Sequence, residues 1–358
     1  MTIGLIGRPR SGKTTLFALL TGAPPGAGRP EARPGPSRGV ARVPDPRVDR
    51  LAELFRPRKT TYATFEVVDA AGLAPGQRAQ WPVAELRDAD ALLHVVRAFD
   101  GPGLDPPDPR RDILDLEAEL VLADLDVVER RLERLAASLR KRRAEPEARE
   151  QAVLQRLAPT LEAGTPLRAV ALDGEEARIL RGFTFLSQKP ILHVLNVDEK
   201  AVAEAEGAVE RYGLQAVVAR PRTRVGWVSA VIEAEVARLS GEEQAAFLAD
   251  LGLREPALVR VLTDCYALLG LVSFFTVGED EVRAWPVAAG TRAQEAAGTV
   301  HSDMARGFIR AEVARWEDLV AAGGSFAEVR ARGRLRLEGK DYLVQDGDVC
   351  HFRFSVGK

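Results

Sequence analysis

Two hydrophobic patterns divide the chain. In the first, short apolar runs closed by glycine, aspartate or asparagine alternate with stretches of helical spacing. "TIGLIG" (2–7), "TFEVVDAAG" (64–72), "ADALLHVVRAF" (89–99), "PILHVLNVDE" (190–199) and "QAVVA" (215–219) are such runs, and their length and borders predict buried strands. "KTTLFALL", "VDRLAELF" and "AVIEAEVARL" carry the helical spacing between them. This alternation predicts an α/β fold, a mainly parallel sheet with helices on both faces. Ligands in such folds collect at the carboxyl ends of the strands. Residues 22–46 are crowded with Gly and Pro and predict a long loop, neither helix nor central strand.

The second pattern runs from Arg111 to Arg143. Val121, Leu125, Val128, Leu132, Leu135 and Leu139 stand alternately four and three residues apart, the seam of a coiled coil. "AEPE" (144–147) breaks it, and a second helix over about 148–157 can return antiparallel, with Pro159 kinking or ending it. From about Ser273 onward "SFFTV", "VRAWPV", "FIRAEV", "RLRLEG" and "YLVQDGDVCHFRF" alternate with turns and predict a separate β-rich domain.

Composition narrows the function classes only a little. The chain has 358 residues and a formal charge of −2, which does not suggest a generic polyanion binder. Two cysteines, Cys265 and Cys350, supply neither a disulfide framework nor a zinc site. The first residues lack a signal-peptide pattern, and no stretch approaches the ~18 apolar residues of a membrane span. The expected address is the cytosol.

Three strand ends carry candidate chemistry. Gly7-Arg8-Pro9-Arg10-Ser11-Gly12-Lys13-Thr14 fits the P-loop, with a strand before it and a helix after. Its glycines let backbone amides approach phosphates at a helix N-terminus, and Arg8, Pro9, Arg10, Ser11, Gly12, Lys13, Thr14 and Thr15 are the candidate phosphate-loop residues. Lys13 is placed to reach the β- and γ-phosphates and Thr14 to ligate Mg²⁺. Asp69 closes the second strand and can hold the Mg²⁺ shell, and Gly72 can donate its amide to the γ-phosphate. Leu73 stands where Ras-like GTPases carry the glutamine that orients water. "NVDE" (196–199) ends a third strand where GTPases use N-K-x-D. Val197 and Glu199 replace the lysine and the guanine-binding aspartate. Glutamate is one methylene longer, so guanine selectivity should suffer. Asn196, Val197, Glu199, Ser229 and Ala230 are the candidate base contacts.

The order of P-loop, "DAAGL", "LLHVVRAFD", helical insertion, "QKPILHVLNVDE" and "GEDEVRAWPVAAGTRAQEAAGTVHSDMARGFIRAEV" resembles the YchF subfamily of Obg-like P-loop NTPases over nearly the whole chain. The resemblance implies a G domain in two parts (1–112 and 181–272), an inserted coiled-coil hairpin (113–180) and a TGS domain of β-grasp shape (273–358). It also implies ATP preference over GTP, carried by the N-x-x-E motif, and association with ribosomes or ribosomal RNA. A monomer without DNA specificity is expected.

Several residues depart from that family. Its loop reads G-L-P-N-V-G-K-S, and its asparagine, of the kind that helps hold a catalytic potassium ion, is replaced by Arg10. Arg10 either supplies positive charge beside the phosphates or turns to solvent or an acidic neighbour. The family's switch-I threonine falls at Arg33. His94 matches a family histidine suspected in hydrolysis, although a histidine in an apolar strand is more often a packed core residue. The stretch 130–143 carries seven basic residues against one acid and reads either as a solvated face or as a contact for RNA phosphates. Together these features predict a Mg²⁺-dependent, slow ATPase acting as a ribosome-associated switch. A nucleotide-holding module without turnover and a GTP-specific regulator are the alternatives.

Overall fold

The computed structural model describes residues 1–23, 37–69, 83–142 and 144–355. The chain forms two compact units, Met1–Val40 with Glu66–Leu268, and Ala41–Phe65 with Leu269–Lys358. Residues 41–65 therefore leave the first segment of the sequence-based division and pack with the C-terminal one.

In chain order the elements begin with β1 (Thr2–Gly7), α1 (Lys13–Thr21), β2 (Ser37–Arg42), α2 (Pro46–Phe55), β3 (Lys59–Thr61), β4 (Thr64–Asp69), α3 (Val83–Asp88) and β5 (Ala91–Ala98). The insertion follows as α4 (Pro109–Lys141) and α5 (Glu145–Glu162), then α6 (Gly174–Leu180) and β6 (Ile191–Val197). A 3₁₀ segment over Glu199–Gly207 leads to α7 (Ala208–Arg211), α8 (Gln215–Val218), β7 (Thr223–Val228), α9 (Ala230–Val236), α10 (Gly241–Asp250) and α11 (Ala257–Leu268).

The first sheet has the order β2-β4-β1-β5-β6-β7, and β4, β1, β5, β6 and β7 pair in parallel. Every residue of β6 is buried, the continuous burial a central parallel strand needs. Ile6, Leu92 and Ile191 from the sheet meet Leu116 and Leu120 of α4 in one core cluster. Two sequence readings change here. "QAVVA" is the short helix α8, and the next strand is β7; a short apolar run does not separate helix from strand by pattern. Residues 37–42, read as loop, form β2, at the edge of the sheet, where backbone pairing needs little apolar side chain.

The coiled-coil seam folds as expected. Val121, Val128 and Leu135 of α4 are buried against Leu154, Leu157 and Leu161 of α5, with Leu125 and Leu132 partly buried beside them. Pro146 lies in the first turn of α5, where its missing N–H is no loss. Pro159 stands inside α5, which ends only one turn later at Glu162. It removes the bond to the Gln155 carbonyl one turn earlier, yet the helix runs on to Glu162.

In the same unit, the buried Glu233 of α9 accepts the Ala257 amide at 2.8 Å and so caps α11. Burial, opposed by the amides of Ala257 and Leu258 and the charge of Arg260, raises its pKa to about 7. The folded value lies above the unfolded one. This group therefore favours the fold most below pH ~4.5, and the contribution is lost as pH rises towards 7. Glu233→Gln keeps an acceptor for the amide and removes the ionisation. Urea unfolding from pH 5 to 8 is expected to show a decline of up to about 3 kcal/mol in wild type that is absent in the variant.

The second unit adds β8 (Leu271–Thr276), β9 (Glu281–Ala288), α12 (Ala293–Val300), α13 (Ser302–Arg306), β10 (Phe308–Arg315), α14 (Trp316–Ala321), α15 (Phe326–Ala331), β11 (Arg336–Glu338) and β12 (Asp348–Phe354). Its sheet has the order β11-β10-β12-β8-β9-β3, with β3 parallel to β9. Ala293, Ala296 and Ala297 of α12 pack on Phe274, Val313 and Phe352. A helix laid on a mixed sheet in this way is a β-grasp arrangement. Among the described residues, no helix is long and apolar enough to cross a membrane.

Candidate active site

The first site is built by the junction of β1 and α1. Gly12 takes a left-handed conformation with φ 91° as N-cap of α1, and among the described residues no side chain caps that helix. The first-turn amides thus keep their donors, the arrangement that favours an anion. A Cβ on Gly7 would stand 2.6 Å from the Val95 carbonyl oxygen, and one on Gly12 would collide with the Asn196 amide. Arg10 also holds a positive φ of 65°, a strained state for a residue with a Cβ.

Lys13 is buried, and its Nζ pairs with Oδ1 of Asp69 at the end of β4. Asp69 faces Leu5 in the register of β1 and β4, so neighbouring parallel strands deliver the amine and the carboxylate to one place. Thr14 and Thr15 are exposed on the first turn of α1. Among the described residues, no cluster of three or more His, Cys, Asp or Glu side chains is arranged to hold a metal. Thr14 and Asp69 instead offer one hydroxyl and one carboxylate. That hard, sparse donor set suits Mg²⁺, which keeps waters and completes its shell with phosphate oxygens.

The second part of the site hangs on Asn196. Its Nδ2 donates to the Ser11 carbonyl at 3.0 Å, and its Oδ1 accepts from the Ala230 amide at 3.0 Å. Asn196 therefore straps the phosphate loop to the turn after β7 and spends its amide on backbone. Val197 is buried, whereas Glu199 is exposed behind Asp198, which caps the 3₁₀ segment. The hydroxyls of Ser11 and Ser229 are buried without a hydrogen-bond partner among the described residues. Asn196→Ala leaves the Ala230 N–H buried and unpaired, at about 1–3 kcal/mol. Thermal melts should show that loss, and nucleotide titration an affinity drop of about tenfold, because the two loops lose their common strut.

Several side chains in and beside the loop take directions that the sequence left open or did not show. Arg8 turns from the loop to α4, with Nη1 2.6 Å from Asp112 and Nη2 2.5 Å from Asp115. Arg10, an exposed residue, donates from Nη2 to the Pro102 carbonyl at 3.1 Å rather than to an acid. Pro9 is exposed at the loop crest. His94 is only 1% exposed, and its Nδ1 lies 3.0 Å from Nδ1 of His193. It is a packed core histidine. Gly72, Leu73 and Arg33 lie outside the described residues.

His94 leads into a buried polar chain that motif reading did not detect. His193 Nε2 is 3.2 Å from Glu117 Oε1. Burial lowers the pKa of both histidines, so both are neutral at pH 7. With Nε2–H donated to Glu117, Nδ1 of His193 is the acceptor and His94 is the donor. Glu117 also pairs with Arg168, which bonds Thr223 Oγ1 at 3.0 Å and the Ser187 carbonyl at 3.2 Å. Burial alone would raise the Glu117 pKa, but the His193 hydrogen bond and the Arg168 charge hold it at about 2. Seven residues on, Asp124 accepts the amides of Leu186 at 2.9 Å and Ser187 at 2.6 Å. Acids at 117 and 124 recur at heptad spacing beside the apolar seam, and that was the available signal.

Comparison with known proteins places this geometry. Residues 2–128 match the family model of 50S ribosome-binding GTPases, and residues 271–355 match the YchF-GTPase C-terminal family, described as of unknown function. The ribosome-binding ATPase YchF of Bacillus subtilis is 40% identical over 366 residues, covering 99% of this chain and 100% of the relative. That of Haemophilus influenzae is 42% identical over 364 residues, covering 99% of each. The solved structure of the Schizosaccharomyces pombe YchF GTPase superposes with a TM-score of 0.83 at 28% identity, covering 99% of this chain and 97% of that one. With a P-loop sheet, an inserted helical hairpin and a β-grasp unit all present, the chain belongs to the YchF family of P-loop NTPases.

Proposed function

We propose that this chain is a Mg²⁺-dependent ATPase that also accepts GTP, turns over slowly alone and works bound to the ribosome. The observation that carries the reading is the uncapped start of α1 with Lys13 and Asp69 paired beside it. Loop amides between Arg8 and Thr15, other than that of Pro9, which has no N–H, and the Gly72 amide hold the phosphates. Thr14 and Asp69 hold magnesium, which when bound neutralises charge on the β- and γ-phosphates. Lys13 exchanges Asp69 for phosphate oxygens and stabilises the charge that builds as water attacks the γ-phosphate in line, giving ADP and phosphate.

Slow turnover follows from two features. Leucine at 73 cannot orient water, and His94 is enclosed in the core. At the base, Asn196 strings the loops together while Val197, Glu199, Ser229 and Ala230 border the ring. The longer Glu199 disfavours guanine. Ribosome binding draws on the names of the Bacillus and Haemophilus relatives and on Arg140, Lys141 and Arg142, exposed at the far end of α4. The buried His94 also favours a second reading, a module that holds nucleotide without turnover.

Phosphate release from Mg²⁺-ATP, with and without ribosomes, tests the proposal. Release above a Lys13→Ala control, increased by ribosomes, is expected. Tight binding with no release in either condition would favour the holding module instead. Clear preference for GTP would overturn the base assignment.

A further inference from the structure

We infer that Arg8 is a latch that links occupancy of the phosphate loop to the root of the helical arm. This rests on the proposal that the loop binds nucleotide. Arg8 directly follows Gly7, yet its guanidinium bridges Asp112 at 2.6 Å and Asp115 at 2.5 Å, both in the opening turns of α4. Asp112 is only 13% exposed, so salt screens this bridge poorly. Arg111 stands farther from Asp115, at 3.7 Å. Arg10 adds a hydrogen bond to Pro102 in the connection from β5 to α4. Two side chains of the loop thus hold the segment from which the arm springs.

The arm amplifies what happens at its root. At 1.5 Å per residue, the 33 residues of α4 span about 50 Å, so a small rotation at Asp112 becomes a large displacement at the tip. A nucleotide brings several negative charges to a loop whose Arg8 is already shared by two carboxylates. Phosphates and aspartates compete for one guanidinium, and filling the loop releases the root. By reciprocity, whatever frees Arg8 from the aspartates must tighten nucleotide binding by the same factor.

Distance measurement between spin labels at Ala137→Cys and Asp250→Cys tests the latch. Both positions are exposed, and the native Cys265 and Cys350 are buried. The probe is Mg²⁺ with a non-hydrolysable ATP analogue, whose binding is titrated separately. The analogue is expected to shift the distance distribution in the wild-type background. With Arg8→Gln it should bind without a shift. Asp112→Asn/Asp115→Asn should bind it about fivefold or more tightly and, without nucleotide, already resemble the filled state. Analogue that binds without moving the arm, an equal shift in Arg8→Gln, or unchanged affinity in the aspartate variant would overturn the latch alone. Failure of the analogue to bind the wild-type loop would overturn the nucleotide reading and the latch with it. The single Asp115→Asn, at a carboxylate 42% exposed, gives the same readout with less risk to folding.

Discussion

Lys13→Ala is expected to lower ATP turnover by about two to three orders of magnitude, the usual effect of deleting a preorganised charge donor. Three facts set that size. Lys13 is the cation of the loop proper, its amine is buried, and the partner it holds is the carboxylate that closes β4. A buried ammonium beside a helix N-terminus acts in low dielectric, where its charge on a developing phosphate is worth far more than at the surface. Arg10 does not replace it, because its guanidinium donates to the Pro102 carbonyl in the connection from β5 to α4. The substitution also leaves Asp69, 14% exposed, without this counter-charge, and about 1–3 kcal/mol of stability should go with it. The two effects separate by experiment. Phosphate release at saturating Mg²⁺-ATP reads the catalytic loss, and unfolding in urea reads the structural one. Lys13→Ala turnover within tenfold of wild type would remove Lys13 from the chemistry.

The largest expected loss of stability comes from Glu117→Gln, with no direct part in binding. Among the described residues, Glu117 is the only carboxylate paired with Arg168, whose side chain is 0% exposed. Removing its charge strands a buried guanidinium, which typically costs about 3–5 kcal/mol. Glutamine can still accept from His193, so lost shape does not account for the effect. Arg220, 3.7 Å from the other carboxylate oxygen, adds a second uncompensated cation. The pH dependence gives an independent signature. The folded pKa of about 2 lies below that of the unfolded chain. Glu117 therefore stabilises fully above pH ~4.5, and that contribution disappears as pH falls towards 2. Wild type should lose this increment on acidification while the variant stays flat. A denaturation midpoint unchanged by the substitution would show that the buried chain of polar groups is dispensable.

What the sequence disclosed depended on how local the cause was. Gly7, Gly12, Lys13 and Thr14 were legible because a phosphate loop is one continuous turn with fixed spacing. Asp69 was legible because an apolar strand aims it. The seam from Val121 to Leu135 was legible because heptad spacing is a property of one helix. Side-chain directions in the loop were not legible. Arg8 and Arg10 turn towards acids and a carbonyl about a hundred residues away, and nothing near Gly7 announces them. His94 needed the register of β5 against β6, which sets it opposite His193; neither strand alone reveals the pair. Residues 41–65 pack with the C-terminal unit through tertiary contacts, while their local pattern is an ordinary helix and strand. β2 escaped because an edge strand is held by its backbone, and "SRGVAR" has no apolar run to mark it.

Direct titration of the purified chain with Mg²⁺-ATP and Mg²⁺-GTP tests the central claim, that this loop holds an adenine nucleotide. One saturable site is expected, with ATP bound more tightly than GTP and displaced competitively by it, and with affinity lost in Lys13→Ala. Absence of saturable binding, or tighter binding of GTP than of ATP, would contradict it.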